Sequence, residues 1–537
     1  MAWRRDKLPA MISPDPAKLA SIMGLMCEAI ALRGAQQPTA ALTVLEQALT
    51  LDPGFLPLHM QRADLLGDMG DLAGAVGAYE ACLDLVPDYD EARIAHRAVM
   101  AQWAANLEAD QEADDKPDTE RAATLARLYY KLAQPQQALR ALAPALALPS
   151  LEYQALHADI LLLLNRHEEA LLCYPEAAHG DDHTGALIAF NRADILRRMG
   201  RIDEAQAAYE EALRWHADFP QAKVGRAHML LTRHDYARGW PAHEARFEIA
   251  ELARHGISSP SPRWQPGQDV QGKRVLLWAE QGQGDCLQFA RYIPLVAQRA
   301  AQVTLCAPAA LLAVLAPSLP GVDCVSHAHE APPHDCHASL LSLPLLLELP
   351  DPGQGPQPPY LFADPGRIAQ WQQQLAFLDG AAPRRPRIGL AWAGRQYATT
   401  HPSRDVPLAA LLPLFDLPAD FISLQVEIPL ADQALHPKVA GRLHNLPLTD
   451  WADTAALACA LDLVISVDTA VIHLAGALGL PCFLPQRLEG EWRWGVQGES
   501  SPWYPSIRLF RQQERGQWAP VVAGMVAACR EKFAGWS

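Results

Sequence analysis

Positive charge is scarce in this sequence. Its 45 Lys and Arg face 61 Asp and Glu, a formal net charge of −16, and no basic stripe offsets the excess. A nucleic-acid partner is therefore not expected, because affinity for phosphate backbones rests on clustered cations. Long apolar runs are missing too: none reaches the about eighteen residues that a membrane span needs. The N-terminal MAWRRDKLPAMISPDPAKLA has charges without an apolar h-region, so no signal peptide is expected. Ten cysteines are scattered with no CxxC among them, which reads as buried thiols in a reducing compartment. These absences together predict a cytoplasmic protein.

Core-forming material is plentiful. Half of the 537 residues are hydrophobic and a fifth are charged, enough for three or four domains at about 150 residues each. The first part is repetitive. Ala29, Ala63 and Ala193 open similar segments, each with a Leu three residues on (Leu32, Leu66, Leu196) and an Ala twelve on (Ala41, Ala75, Ala205). Pro53 and Pro87 stand one 34-residue period apart, Gly70 and Gly200 mark turns within helix pairs, and Tyr79 and Tyr209 fall in second helices. This period, with small residues at helix crossings, resembles the tetratricopeptide repeat. Degenerate copies are expected at 126–142 and 158–174 and a partial one from Ala227, with 105–120 a polar insertion or poor repeat. Such a stack leaves a concave groove that usually holds a peptide, so a protein partner is expected there. Dimerisation, or bracing of the rest of the chain, is the alternative.

A GW…HEARFE segment leads into a Pro-rich joint, SSPSPRWQPGQ at 258–268, and an α/β half follows. KRVLLWAE (273–280) reads as a strand that breaks at Gln281-Gly282-Gln283-Gly284-Asp285 and restarts as a helix. A Gly-rich turn there lets backbone and a side chain approach a ligand, although GxGxxG spacing is absent. Asp285 opens that helix at the carboxyl edge of the sheet, either as a cap or as a functional carboxylate. Strands are expected near 303–306 and 322–325. Cys324, His327, His329, His334, Cys336 and His337 then crowd one segment, with irregular spacing and two prolines that fit a solvated loop better than a zinc site. Past the AAPRRPR linker, RIGLAW (387–392) is a buried strand ending in Ala393-Gly394, and a polar loop runs from Arg395 to Arg404. Further strands are expected at 421–424, 463–467, 482–484 and 507–510, and a terminal helix at 518–533.

The most informative stretch is LDLVISVDTAVIHLAGALGLP (461–481). Asp468 ends an apolar, β-branched strand where a helix N-cap belongs, with Thr469 in the first turn. Ala470, His473, Leu474 and Ala477 recur at helical spacing. The first-turn N–H groups would point out of the carboxyl edge of the sheet, where a phosphate is held in nucleotide-binding folds. An ordinary βαβ unit with an Asp cap is the alternative. His473 either reaches that phosphate or packs on the inner face of the helix. Gln425, just past strand 421–424, is placed to touch a nucleotide base. Two strand–helix lobes with a glycine turn in each facing the cleft is the layout of a GT-B glycosyltransferase. The expected fold class is thus an α-helical tetratricopeptide solenoid followed by an α/β GT-B fold of two Rossmann-like lobes. Its expected divisions are a leader (1–20), the solenoid (21–250), a linker (251–272), an acceptor-side lobe (273–382), a nucleotide-sugar lobe (383–515) and a C-terminal helix (516–537).

WAEQGQGDCLQFARYIP, GLAWAG, SVDTAVIHLAGALG and WRW…SPWYPSIRLFRQ, in that order, resemble bacterial tetratricopeptide-repeat proteins with a C-terminal glycosyltransferase domain. The α/β half is similar, more distantly, to the ADP-heptose heptosyltransferases of glycosyltransferase family 9, and the overall plan to the O-GlcNAc transferases. The resemblance implies that Gly284-Asp285 supplies the catalytic base. It implies that Arg404, in the loop after Gly394, contacts donor phosphate, and that Asp468, Thr469, Ala470 and His473 belong to the nucleotide diphosphate site. Residues 492–505 are expected to line the cleft, and transfer is expected to invert the anomeric carbon. The catalytic half has no DxD-like motif, and the helix end and Arg404 supply positive charge, so metal-independent catalysis without a cofactor is expected. The donor would be a nucleotide sugar and the acceptor a Ser or Thr of a protein, flagellin being the first candidate among relatives. A lipid-linked or polysaccharide acceptor is one alternative. A scaffold with an inactive transferase half is the other.

Overall fold

The computed structural model describes residues 16–86, 89–113, 118–176, 180–249, 256–280, 282–379, 384–394, 404–439 and 441–535. The chain divides into two compact units, Met1–Cys173 and Tyr174–Ser537.

The first unit is built of helices packed in consecutive pairs. They are α1 (Pro16–Gly34) with α2 (Pro38–Leu51), α3 (Leu56–Asp68) with α4 (Leu72–Leu85), a long α5 (Asp90–Ala113), α6 (Thr119–Lys131) with α7 (Pro135–Leu142), and α8 (Leu151–Leu163) with α9 (His167–Leu172). Small residues at the crossings allow the helices to approach closely: Ala41, Ala48, Ala63 and Ala75 are all 0–1% exposed. Each pair turns on one residue in the left-handed region, and this marks the repeat better than the side chains do. Gly70 (φ +83°) serves α3–α4, while Gln36 (φ 61°), Ala133 (φ 58°) and Asn165 (φ 58°) serve the other pairs. Gln36 and Gly70 stand one 34-residue period apart. The polar stretch 105–120 is mostly not an insertion, since α5 runs on to Ala113 and Asp118 caps α6 through the N–H groups of Glu120 and Arg121. Two acidic residues, Asp90 and Glu91, favour the start of α5. Pro87, residues 114–117 and most of the expected leader lie outside the described residues.

The second unit begins with two more pairs, α10 (Asp182–Arg198) with α11 (Ile202–Trp215) and α12 (Pro220–Thr232) with α13 (Tyr236–His243). Their turns use Gly200 (φ +74°) and His234 (φ 61°), again 34 residues apart. Two parallel sheets follow. The first has the order β3-β2-β1-β4, from β1 (Arg274–Trp278), β2 (Gln302–Cys306), β3 (Val322–Val325) and β4 (Cys336–Ser339). The second has the order β10-β9-β8-β5-β6-β7, from β5 (Arg387–Ala391), β6 (Asp420–Ser423), β7 (Leu443–Asn445), β8 (Leu463–Ser466), β9 (Cys482–Gln486) and β10 (Ile507–Arg511). Among the described residues the named strands all pair in parallel, so the chain must cross over between them. Those that bear on the site are α14 (Gln283–Phe289) after β1, α15 (Trp451–Cys459) before β8, and α16 (Ala470–Ala477) after β8. This is the helical-repeat and two-lobed α/β fold expected from the sequence.

Two segments differ from the expected elements. Cys336–Ser339 is not part of a solvated loop but the fourth strand of the first sheet, paired with β1. Its Cys336, Ala338 and Ser339 are fully buried and His337 alone is half-buried. The three-residue β7 carries no periodic signal in the sequence. Among the described residues no helix is long and apolar enough to cross a membrane.

The last repeat pair and the α/β lobes share one core. Trp240 of α13 is 1% exposed and meets Phe289, Trp492 and Trp503 edge to face at 5.5–6.2 Å. Its indole N–H donates to the Pro350 carbonyl at 2.8 Å. Below it, Arg246 is also 1% exposed and grips the Glu280 carboxylate with two hydrogen bonds of 2.8 and 2.9 Å. Compactness therefore breaks at 173/174, inside the repeats, rather than at the Pro-rich joint.

Ala133 offers a direct check on the turn geometry. An L-residue held in the left-handed region costs roughly 1–2 kcal/mol, part of which a glycine gives back as entropy of the unfolded chain. Ala133 is exposed, so its methyl group contributes no packing. Ala133→Gly is expected to stabilise the first unit by about 0.5–1 kcal/mol, read as a raised midpoint in denaturant titration.

Candidate active site

Both sheets reverse their strand order beside the strand that starts them. The first winds from β1 outward through β2 and β3, then returns to place β4 on the other side of β1; the second does the same around β5 and β8. Crevices form outside the carboxyl ends of strands at such switch points, and ligands of open α/β sheets bind there. The turn after β1 carries Gly284 and Asp285, the turn after β8 carries Asp468 and Thr469, and β5 runs out to Gly394.

The structure brings the first two turns into contact. Gly284 lies against α16 so closely that a Cβ there would stand 2.8 Å from His473 Cδ2 and 3.6 Å from the Ala470 Cα. A second tie reaches α14 from the helix before β8: the Trp451 indole N–H of α15 donates to Gln283 Oε1 at 3.0 Å. The glycine is needed for approach rather than for a special backbone angle.

Asp285 stands in the first turn of α14, its N–H donating to the Gly282 carbonyl at 3.0 Å. Its Oδ1 takes an ion pair from Arg493, and the carboxylate is 13% exposed. Arg493 comes from the loop after β9 and is 9% exposed. It donates Nε to Gln288 Oε1 at 2.8 Å, reaches Glu491 at 2.5 Å and lies over the Trp492 ring at 4.1 Å. Burial works against its charge, but Asp285, Glu491 and Asp468 outweigh burial and hold it firmly protonated.

On the other side, α16 starts one residue later than the sequence pattern suggests. Its N-cap is Thr469, in extended conformation and without a side-chain cap bond. Asp468 does not cap the helix; its carboxylate turns to His473, with Oδ1 3.6 Å from Nε2. Burial alone would raise the Asp468 pKa. The His473 interaction and the charges of His473, Arg493 and Arg487 more than offset it, bringing the value down to about 2. His473 is 4% exposed. Its Nδ1 lies 3.0 Å from the Tyr504 hydroxyl and its ring stacks on Trp494 at 5.4 Å. Both nitrogens thus face protein groups.

The remaining sequence-chosen residues lie around β5. Gly394 donates its N–H to Asp405 Oδ1 at 2.9 Å, and a Cβ on it would stand 3.4 Å from Arg404 Nε. Arg404 thus borders the end of β5, while the loop 395–403 lies outside the described residues. Gln425 holds backbone: its Oε1 accepts from the N–H groups of Trp392 (3.1 Å) and Ala393 (3.0 Å), and its Nε2 donates to the Glu427 carbonyl (2.9 Å). One Nε2–H is left over from these bonds.

Arg493, Arg487 and Tyr504 escaped the sequence reading as individual residues. The signal for Arg493 was present, a cation between two tryptophans in a segment expected to line the cleft. Arg487, just past β9, feels Asp468, Glu491 and Arg404 together, which ties the Arg404 side of the cleft to the Asp468 side. Burial pulls its pKa down. Of the metal-type residues at 324–337, Trp278 donates to His337 at 3.2 Å, His334 pairs with Ser259 at 2.8 Å and His327 meets Ser326 at 2.8 Å. No group of three such ligands converges among the described residues.

The arrangement combines a carboxylate, a helix end and at least three guanidinium groups beside one crevice. That set suits an anionic ligand held next to a proton acceptor. A tetratricopeptide-repeat family model matches residues 186–219. Protein FlbA of Caulobacter vibrioides is 29% identical over 511 residues, which cover 86% of this chain and 82% of that protein. The glycosyl transferase family 9 structure from Veillonella parvula overlies 49% of this chain and 98% of its own, at 12% identity and a TM-score of 0.34. The ADP-heptose lps heptosyltransferase II of E. coli overlies 48% and 99%, at 14% identity and a TM-score of 0.32.

The close approach at Gly284 is testable. Gly284→Ala puts a methyl group against a ring fixed by Tyr504 and Trp494, so α14 must move from α16. Overpacking of this kind costs about 1–3 kcal/mol. The expected outcome is a soluble variant with that loss of stability, and with weakened binding of any ligand that spans the two turns, measured by calorimetry.

Proposed function

We propose that this protein transfers a sugar from a nucleotide-sugar donor to an acceptor hydroxyl. One observation carries the reading: Gly284 rests on His473 and Ala470, so the Asp285 turn and the open end of α16 share one crevice. In the proposed reaction the acceptor oxygen forms a bond to the anomeric carbon and gives its proton to Asp285. The bond from that carbon to the nucleotide phosphate breaks as the new one forms, which inverts the carbon. Negative charge then grows on the leaving phosphate. The N–H groups at Thr469 and Ala470, with Arg404 and Arg487, are suited to stabilise it. Such charges gain most in a site that excludes water, and Arg487 is largely buried. Asp468 contributes by holding His473, and Gly394 by leaving room for Arg404.

A protein is the acceptor class this reading favours. Helical repeats that precede a transferase raise the concentration of a bound chain at its active site without any new contact there. Flagellin is the specific candidate, from the resemblance to flagellin-modifying enzymes. The base of the donor stays open, since a helix end contacts phosphate and ignores the base.

Binding of UDP-, GDP-, ADP- and CMP-sugars, followed as a rise in melting temperature without added metal, tests the donor site. A ligand at a hundred times its dissociation constant stabilises by roughly 2.7 kcal/mol. One nucleotide class is expected to give such a shift and to lose it in Thr469→Trp, which fills the space before α16. No shift with any of them would count against this site and for a scaffold role.

A further inference from the structure

The loop that brings Arg493 to Asp285 has little regular structure of its own. Between β9 and β10 it contains three glycines in the left-handed region, Gly490, Gly495 and Gly498. Its place is therefore set by its anchors. Arg511 of β10 supplies one, donating to the carbonyls of Trp494 (2.5 Å), Gly495 (3.0 Å) and Gly498 (2.8 Å). Trp492 on Trp240 and Phe289, and Trp494 on His473, supply others, and the repeats add their turns. A Cβ on Gly495 would stand 2.6 Å from His234 Nε2 and 3.6 Å from the Thr232 carbonyl, both in the α12–α13 turn. At the α10–α11 turn, a Cβ on Gly200 would stand 3.4 Å from the Leu488 carbonyl. Arg515 joins the two sides, pairing with Glu489 of the loop and donating to the Arg198 carbonyl at the end of α10.

We infer that Arg493 is the positioning residue of Asp285, and that the turns of the last two repeat pairs fix where Arg493 stands. The inference rests on the reading of Asp285 as the base. A carboxylate in the first turn of a short helix keeps rotamer freedom unless a charge-assisted hydrogen bond removes it. Arg493 removes it, and is itself held by Gln288, Glu491 and the Trp492 face. These repeats therefore do more than carry an acceptor. They form the outer support of the catalytic wall, which explains why α10–α13 share a compact unit with the sheets.

The full-length protein tests this through nucleotide release from the donor and amide exchange over 283–289 and 487–498. Arg493→Gln is expected to lower kcat on the order of tenfold or more, because a misplaced group loses orientation, while donor KM changes little. Arg493→Lys restores part of that loss. Gly495→Ala, through its clash with His234, also lowers kcat and speeds exchange of the loop. Adding His234→Ala recovers part of both, whereas backbone strain at residue 495 alone would leave the double variant no better than the single. An unchanged kcat in Arg493→Gln, a loss confined to KM, or no recovery in the double variant overturns the inference. If the wild-type protein releases no nucleotide, exchange decides alone. Faster exchange of 283–289 in Arg493→Gln then upholds the positioning role while the transferase reading fails, and unchanged exchange overturns the positioning role as well.

Discussion

Arg493 carries a full positive charge into a place almost closed to water, and a charge so placed persists only where acceptors surround it. Here they come from both sides of the cleft. Asp285 and Gln288 belong to the helix after β1, Glu491 belongs to the loop after β9, and Asp468 lends its charge from the end of β8. The guanidinium binds two lobes that share no strand. Without it Asp285, Glu491 and Asp468 would lose the cation whose charge they share. Breaking a buried pair costs about 3–5 kcal/mol, far more than the pair gains over an apolar replacement. Such a group is therefore better understood as fixing a geometry than as adding stability.

That geometry follows from topology before it depends on side chains. Two parallel sheets, each reversing its winding beside its first strand, must open crevices at the carboxyl ends of β1 and of β5 and β8. Gly284 then decides whether the crevices become one, because any larger residue would hold α14 away from His473. A different pair holds the sheet behind them. Arg246, arriving from the repeat side, fixes the Glu280 carboxylate just ahead of the glycine turn, and Ser342, Glu244 and the His243 carbonyl take its remaining donors. The last repeat pairs reach the crevice at two places, through this pair and through the Arg493 loop.

Strands were largely legible in the sequence because buried parallel strands read as short β-branched runs bounded by turn residues. Eight of the ten strands lie where such runs stand. Cys336–Ser339 was hidden by its neighbours, since three histidines and two prolines just before it suggest a solvated loop, while the strand itself is four residues long and carries a His and a Ser. The repeats were legible through their Ala and Leu spacing even where Ala133 and Asn165 replace the turn glycine. At the site, Asp285, Gly284 and the 468–473 segment are found in one crevice. Asp468 was misread as a cap because its neighbour Thr469 occupies that position. Gln425 stands at a strand end as its spacing suggests, and its amide also holds the backbone of Trp392, Ala393 and Glu427. Arg493 could not be assigned from spacing, because its partner lies 208 positions away.

In the proposed reaction Asp285 takes the proton of an acceptor hydroxyl as a sugar leaves its nucleotide. Intact-mass analysis of a purified acceptor protein, incubated with the full-length chain and the nucleotide sugar that it binds, addresses this directly. The acceptor is expected to gain the mass of one glycosyl residue on Ser or Thr with the wild-type protein, and to gain none on the same timescale with Asp285→Asn. Equal labelling by Asp285→Asn would contradict the assignment of the base, and release of free sugar with an unmodified acceptor would contradict transfer to a protein.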